Sequence, residues 1–124
     1  MLEINIRNNG NTTILDLDGN VIMGGGSAKL RETINKILDE DKTEILLNFA
    51  NVKYLDSSGT GEILAFSRKI SDLGGCLKLS NLTPKVREVL ALSSILPILD
   101  IYEDESKALD DEDSQTSSSS SSGA

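Results

Sequence analysis

The order of the hydrophobic periods constrains this chain more than any other feature. Leu2-Glu3-Ile4-Asn5-Ile6-Arg7 alternates apolar and polar residues, which marks a strand with one buried face. Asn9-Gly10 follows as a hairpin signal, because both residue types tolerate positive φ, and Thr13-Ile14-Leu15-Asp16-Leu17 returns, stopping near Gly19. The period then changes. Beyond the glycines Gly24-Gly25-Gly26, with Ser27 as the expected N-cap, Leu30, Ile34, Ile37 and Leu38 recur at helical spacing over residues 28–40. Ile45-Leu46-Leu47-Asn48-Phe49 is short and nearly all apolar, as in a strand buried on both faces. Ile63, Phe66 and Ile70 place a second helix over residues 59–72, ended by Gly74-Gly75.

Leu77-Lys78-Leu79 reads as another strand, and Thr83-Pro84 supplies an N-cap and a first-turn proline for a third helix with Val86, Val89 and Leu90 on its buried stripe. Pro97 to Tyr102 is expected to be a short edge strand, followed by a short helix through Leu109. A hairpin followed by alternating helices and strands predicts an α/β sandwich. Its mixed sheet should have four or five strands, the later ones parallel, with the helices mainly over one face.

Aromatic residues are only 3% of the chain, so Leu, Ile and Val must build the core. The net charge of −8 is unevenly spread: residues 103–113 hold seven acids against one lysine, which leaves the rest close to neutral. A near-neutral body lacks the basic footprint of a nucleic-acid binder. Residues 110–124, acidic and then almost all serine, are expected to form a disordered tail after a domain spanning 1–109. No apolar run approaches the roughly 20 residues needed to cross a bilayer, and no secretory signal is visible at the start, so no membrane partner and a cytoplasmic location are expected.

The chain has no histidine and a single cysteine, Cys76, which reads as a buried small hydrophobe. Zinc sites of the usual Cys/His kinds, Ser-His-Asp triads and Cys-His pairs are therefore excluded, and no cofactor is expected. Gly19 and Gly24 have the spacing that opens a phosphate-binding P-loop, but glycines occupy positions 25 and 26 where a lysine and a hydroxyl residue belong. Asp16 and Asp18 share one strand face and read as its solvent side.

What remains is Asp56-Ser57-Ser58-Gly59-Thr60-Gly61, where a strand feeds a helix N-terminus. Asp and Ser there are ordinary capping residues. Capping is compatible with a second use: a serine hydroxyl at that end is open to a kinase, and its phosphate would add about −1.5 to −2 charges near unpaired amides that tolerate them. The two glycines bare the backbone to a close neighbour.

The stretch Tyr54-Leu55-Asp56-Ser57-Ser58-Gly59-Thr60-Gly61 resembles the signature of the STAS family, the sulfate transporter and anti-sigma factor antagonist domains. The resemblance extends over residues 2–109, taking in Leu46-Leu47-Asn48, Gly74-Gly75 and Leu79-Ser80-Asn81-Leu82-Thr83. It implies a non-enzymatic partner switch that binds an anti-sigma factor kinase when unphosphorylated and so frees a sigma factor indirectly. The kinase would use ATP and Mg²⁺ to phosphorylate Ser57, and a metal-dependent Ser/Thr phosphatase would reset it. Asp56, Ser58, Gly59, Thr60, Gly61 and Glu62 would form the loop and the partner-facing start of the helix. Many members carry an acidic residue after the glycine of the second strand; here Asn20 follows Gly19, then Val21-Ile22-Met23. The alternative is a non-phosphorylated STAS structural subunit of a transport or stress-signalling assembly.

Overall fold

The computed structural model describes residues 1–110; the tail expected beyond Leu109 lies, but for Asp110, outside the described residues. The hairpin forms from β1 (Leu2–Asn9) and β2 (Thr12–Val21), paired antiparallel. Its loop is Gly10-Asn11, and only Gly10 (φ 61°) takes the left-handed conformation. Asn9 is thus the last strand residue, and one glycine at the first loop position is enough for the turn. β2 does not stop at Gly19. That residue adopts φ 126° where a Cβ would lie 2.1 Å from the carbonyl oxygen of Met1, so a glycine carries the strand past a close backbone approach.

From there the chain alternates: α1 (Gly26–Asp39), β3 (Glu44–Leu55), α2 (Ser57–Asp72), β4 (Cys76–Ser80), α3 (Pro84–Leu92), a 3₁₀ turn (Leu96–Ile98) and β5 (Asp100–Tyr102). A helical segment over 105–110 ends the described chain. The strands lie in sequence order, β1-β2-β3-β4-β5, with β2 to β5 mutually parallel. Parallel crossovers take one hand in nearly all proteins, so strands added in one direction place every connecting helix on the same face. Leu30 and Ile34 of α1, Ile63, Phe66 and Ile70 of α2, and Val86 and Leu90 of α3 accordingly share one core with Leu15, Leu17, Leu47, Phe49 and Leu79 of the sheet.

Several local expectations need correction. Ser27 is not an N-cap: α1 starts one residue before it, Gly25 holds the cap position without a side-chain bond, and Ser27 is buried. A Cβ on Gly26 would meet the Asn20 carbonyl oxygen at 1.9 Å, so the glycines serve close packing of the helix start on β2. Pro97, which has no N–H to give a ladder, sits in the 3₁₀ turn, and β5 keeps only three residues. Cys76 is half-buried. β3 is far longer than its apolar run because Asn48 accepts the Ala50 amide at 2.9 Å and carries the strand through a bulge.

The opposite sheet face bears the 105–110 segment. Ile14 and Leu46 pack on Ala108 there, and buried Lys78 donates to the Ala108 carbonyl at 2.9 Å. Asp16 is not a free solvent-side carboxylate. Arg7 grips it through Nε (2.6 Å) and Nη2 (2.8 Å) and reaches Glu105 at 2.7 Å, which holds the Asp16 carboxyl below its usual range.

Two glycines in the first two turns of α2 separate packing from propensity. A Cβ on Gly59 would lie 2.3 Å from the Val21 carbonyl oxygen, whereas Gly61 has nothing within 4 Å. Gly59→Ala should destabilise the fold by about 1–3 kcal/mol through overpacking against backbone. Gly61→Ala should stabilise it by about 0.5–1 kcal/mol, since alanine fits a helix better. Urea denaturation of the two variants beside the parent checks both signs.

Candidate functional site

The expected site assembles where the parallel strands end. β3 delivers Leu55 into the core, and Asp56, still extended (φ −116°, ψ −172°), becomes the N-cap of α2. Its Oδ1 accepts from the amides of Ser58 (2.9 Å) and Gly59 (3.1 Å) and from the Ser58 hydroxyl (2.6 Å). Its Oδ2 accepts from the amide of Met23 at 2.9 Å, across 33 residues of sequence. The Asp56 amide in turn donates to the Val21 carbonyl at 3.4 Å. One side chain thus caps α2 and ties down the loop between β2 and α1. Four donors favour the carboxylate form, the Met23 amide most strongly and the Ser58 hydroxyl next, and the pKa falls to about 2.

Ser57 is the first residue of α2 and is exposed. Ser58, beside it, is half-buried with its hydroxyl bound to Asp56. The two serines are therefore chemically distinct: one hydroxyl faces solvent and the other completes the cap. Gly59 and Thr60 are both buried, so neither presents a side chain to a partner. Gly59 lacks a side chain for the sake of Val21 and Leu55 beneath it, and outward approach to bare backbone is left to exposed Gly61. Glu62 is half-buried and paired with Arg31 of α1 at 2.7 Å, which bridges the two helices next to the serine.

The three amides that follow Ser57 are already taken. Those of Ser58 and Gly59 go to the Asp56 carboxylate, and that of Thr60 makes the first helical bond, to the Asp56 carbonyl, at 2.9 Å. The helix end thus carries its anion permanently, and an added phosphate would stand beside it, directed to solvent. Of the amides expected to receive the charge, these three already have acceptors.

Two neighbours of the serine loop, Met23 and Tyr54, stand in the sequence with no site role assigned to them. Met23 is 73% exposed and fixed by its own amide to Asp56; a backbone bond between two loops leaves no residue-type signal. Tyr54 is 53% exposed, with Lys85 from the start of α3 over its ring at 5.0 Å from the centroid. An aromatic that breaks the apolar pattern just before the cap was the available sign.

Among the described residues, no group of three or more His, Cys, Asp or Glu side chains could hold a metal ion, and no helix is long and apolar enough to cross a membrane.

A model of the STAS domain family matches residues 3–108. An anti-sigma F factor antagonist from Paenibacillus polymyxa is 35% identical over 65 residues, covering 52% of this chain and 56% of the relative, so the match spans about half the length of each. Among solved structures, the anti-sigma factor antagonist SpoIIAA in its unphosphorylated form superposes with a TM-score of 0.76 at 24% identity, covering 90% of this chain and 97% of its own. An anti-sigma factor antagonist from Mycobacterium paratuberculosis gives 0.78 at 16% identity, over 88% of this chain and 92% of its own. The Bacillus SpoIIAA has also been solved in a phosphorylated form, with a TM-score of 0.66 at 24% identity over 89% of this chain and 97% of its own. These structures share the fold. With the family match running from the first strand to the C-terminal helical segment, over the same ordered sheet and the same capped loop, the chain belongs to the STAS domain family.

Proposed function

We propose that this chain is an anti-sigma factor antagonist controlled by phosphorylation of Ser57. The observation that carries the reading is the contrast at the start of α2: an exposed hydroxyl on Ser57 beside a helix end whose amides Asp56 already occupies. Phosphorylation there adds about two negative charges at a point where Asp56 already holds the amides of Ser58 and Gly59. The fold keeps its cap and core, and the new charge is displayed outward. A partner that docks on this surface meets it as desolvation cost and repulsion, which can amount to several kcal/mol for like charges brought together.

The docking surface in this reading comprises Ser57, Gly61 and the Glu62–Arg31 bridge, flanked by Met23 and Tyr54. Gly59 and Thr60 act from beneath it by holding α2 against β2. An anti-sigma factor kinase is both the binding partner and the source of the phosphate, transferred from ATP with Mg²⁺. A Ser/Thr phosphatase reverses the modification, and a sigma factor is released only indirectly. The phosphorylated form of SpoIIAA shows that a protein of this fold can carry the modification. The antagonist name of the Paenibacillus relative supports the same assignment.

Incubation with a cognate anti-sigma factor kinase and Mg-ATP, followed by peptide mass mapping, should find one phosphate, on Ser57 and not on Ser58. An unmodified chain would favour the structural-subunit alternative. By calorimetry, Ser57→Ala should bind the kinase as the parent does. Ser57→Asp should bind about tenfold more weakly, a loss of roughly 1.4 kcal/mol. Equal affinity of parent and Ser57→Asp would remove the electrostatic basis of the switch.

Asp56 gives a separate test of the loop. Its folded pKa, about 2, lies below the ordinary aspartate value, so its contribution to stability is complete above about pH 4. That contribution is lost as pH falls from there through about 2. Asp56→Ala should cost about 1–2 kcal/mol at neutral pH, as loss of a helix cap does. Asp56→Asn should unfold with a shallower acid dependence than the parent across that window, which a denaturant series at stepped pH would measure.

A further inference from the structure

β1 borders the sheet: β2 pairs along one side of it, and among the described residues no strand pairs along the other. Its pairing with β2 runs through eight unbroken residue pairs, whereas the irregularities of register lie between β2 and β3. Edge strands that stay single are usually blunted by a bulge, a proline or an inward-pointing charge. β1 has none of these. Leu2, Ile4 and Ile6 share the core-side face, and Ile6 is left 49% exposed at the end of the row. The hairpin loop is two residues long, so Asn9 and Thr12 form the hydrogen-bonded pair that closes it. Alternation along the ladder then turns the backbone N–H and C=O groups of Ile6 and Ile4 away from β2, toward solvent.

We propose that a second copy of this chain pairs along that border, β1 against β1 antiparallel, about a two-fold axis at Asn5. In this register Ile4 of each copy lies opposite Ile6 of the other, so the exposed Ile6 gains an apolar neighbour on its own face. The outward groups of Ile4 and Ile6 meet as hydrogen-bonded pairs, and the interface is isologous, as a two-fold requires. Glu3 of each copy lies opposite Arg7 of the other. Sliding the pairing by two residues in either direction puts Glu3 or Arg7 opposite Asn5 and loses both charge pairs. Arg7 already spends four guanidinium hydrogens on Asp16 and Glu105, which leaves one on Nη1 for the incoming carboxylate. The charge pair therefore selects the register, while the isoleucine contacts and the new backbone bonds supply the attraction.

This inference is independent of phosphorylation and is tested on the full chain. Sedimentation equilibrium should give the mass of a dimer. Ile6→Pro removes an outward N–H without touching the β2 ladder, so it should give a monomer with an unchanged circular dichroism spectrum. Should that variant unfold, two cysteine variants in a Cys76→Ala background decide the matter. Asn5→Cys places two thiols on the axis, with Cα atoms about 4.5 Å apart, within disulfide range. It should cross-link under mild oxidation. Glu3→Cys places its copies about 13 Å apart along the paired strands and should stay uncross-linked. A chain that sediments as a monomer at every concentration, or cross-linking of Glu3→Cys equal to or above that of Asn5→Cys, would overturn the proposal.

Discussion

A single carboxylate organises the end of the molecule where the proposed switch lies. A helix that starts inside a fold leaves amides without partners, and here two of them, plus the Met23 amide from a loop 33 residues upstream, converge on Asp56. Without it, the start of α2 and the β2–α1 loop would each need another acceptor and would lose the side-chain tie between them. With it, the two loops form one surface on which Ser57 stands in the open. That the helix end is already neutralised matters as much as its shape. In the proposed switch, a phosphate on Ser57 would meet an anion at the helix end, and its charge would be felt by whatever docks outside.

Behind this surface the sheet provides a firm support through its order. Strands are added in one direction from β2 to β5, so α1, α2 and α3 share one face and one aliphatic core. Glycines set how closely the helices approach. Gly26 and Gly59 each lie where a side chain would strike the backbone at the end of β2, at the Asn20 and Val21 carbonyls. The serine loop therefore owes its position to missing side chains as well as to the cap. The other face is held differently, by Lys78 on the Ala108 carbonyl and by Arg7 shared between Asp16 and Glu105, a polar clasp around the small cluster of Ile14, Leu46 and Ala108.

How far the chain could be read from its sequence follows from which interactions are local. The hairpin, the helical stripes of α2 and α3 and the Thr83–Pro84 start were legible because period and capping are written within a few residues. Thr83 does accept from the Val86 amide, at 3.2 Å. The end of β2 was misread because Gly19 looks like a stop, whereas it lets the strand pass the Met1 carbonyl. Ser27 was misread for a similar reason: a good capping residue is displaced when Gly26 alone can pack against Asn20. At the site, the identity of the loop was legible, but the division of labour within it was not. That Ser57 is open and Ser58 tied, and that Gly59 and Thr60 face inward, depends on Val21 and Met23, which no spacing rule connects to them.

The two faces of activity proposed for this chain lie at different places in the sheet, and the topology relates them. Leu2, at the start of β1, is level with Gly19 near the end of β2, which is also the end at which β3 delivers Ser57. Pairing β1 with its copy antiparallel sends the two starts in opposite directions. The two serine loops would then sit at opposite ends of one continuous sheet, separated by the width of both domains. Neither Ser57, nor the Glu62–Arg31 bridge, nor Met23 belongs to the shared border, so phosphate on one loop adds no charge to the interface. Such a dimer would present two independent docking surfaces. Its effect on a partner would come from valency, felt most by a partner that is itself two-fold.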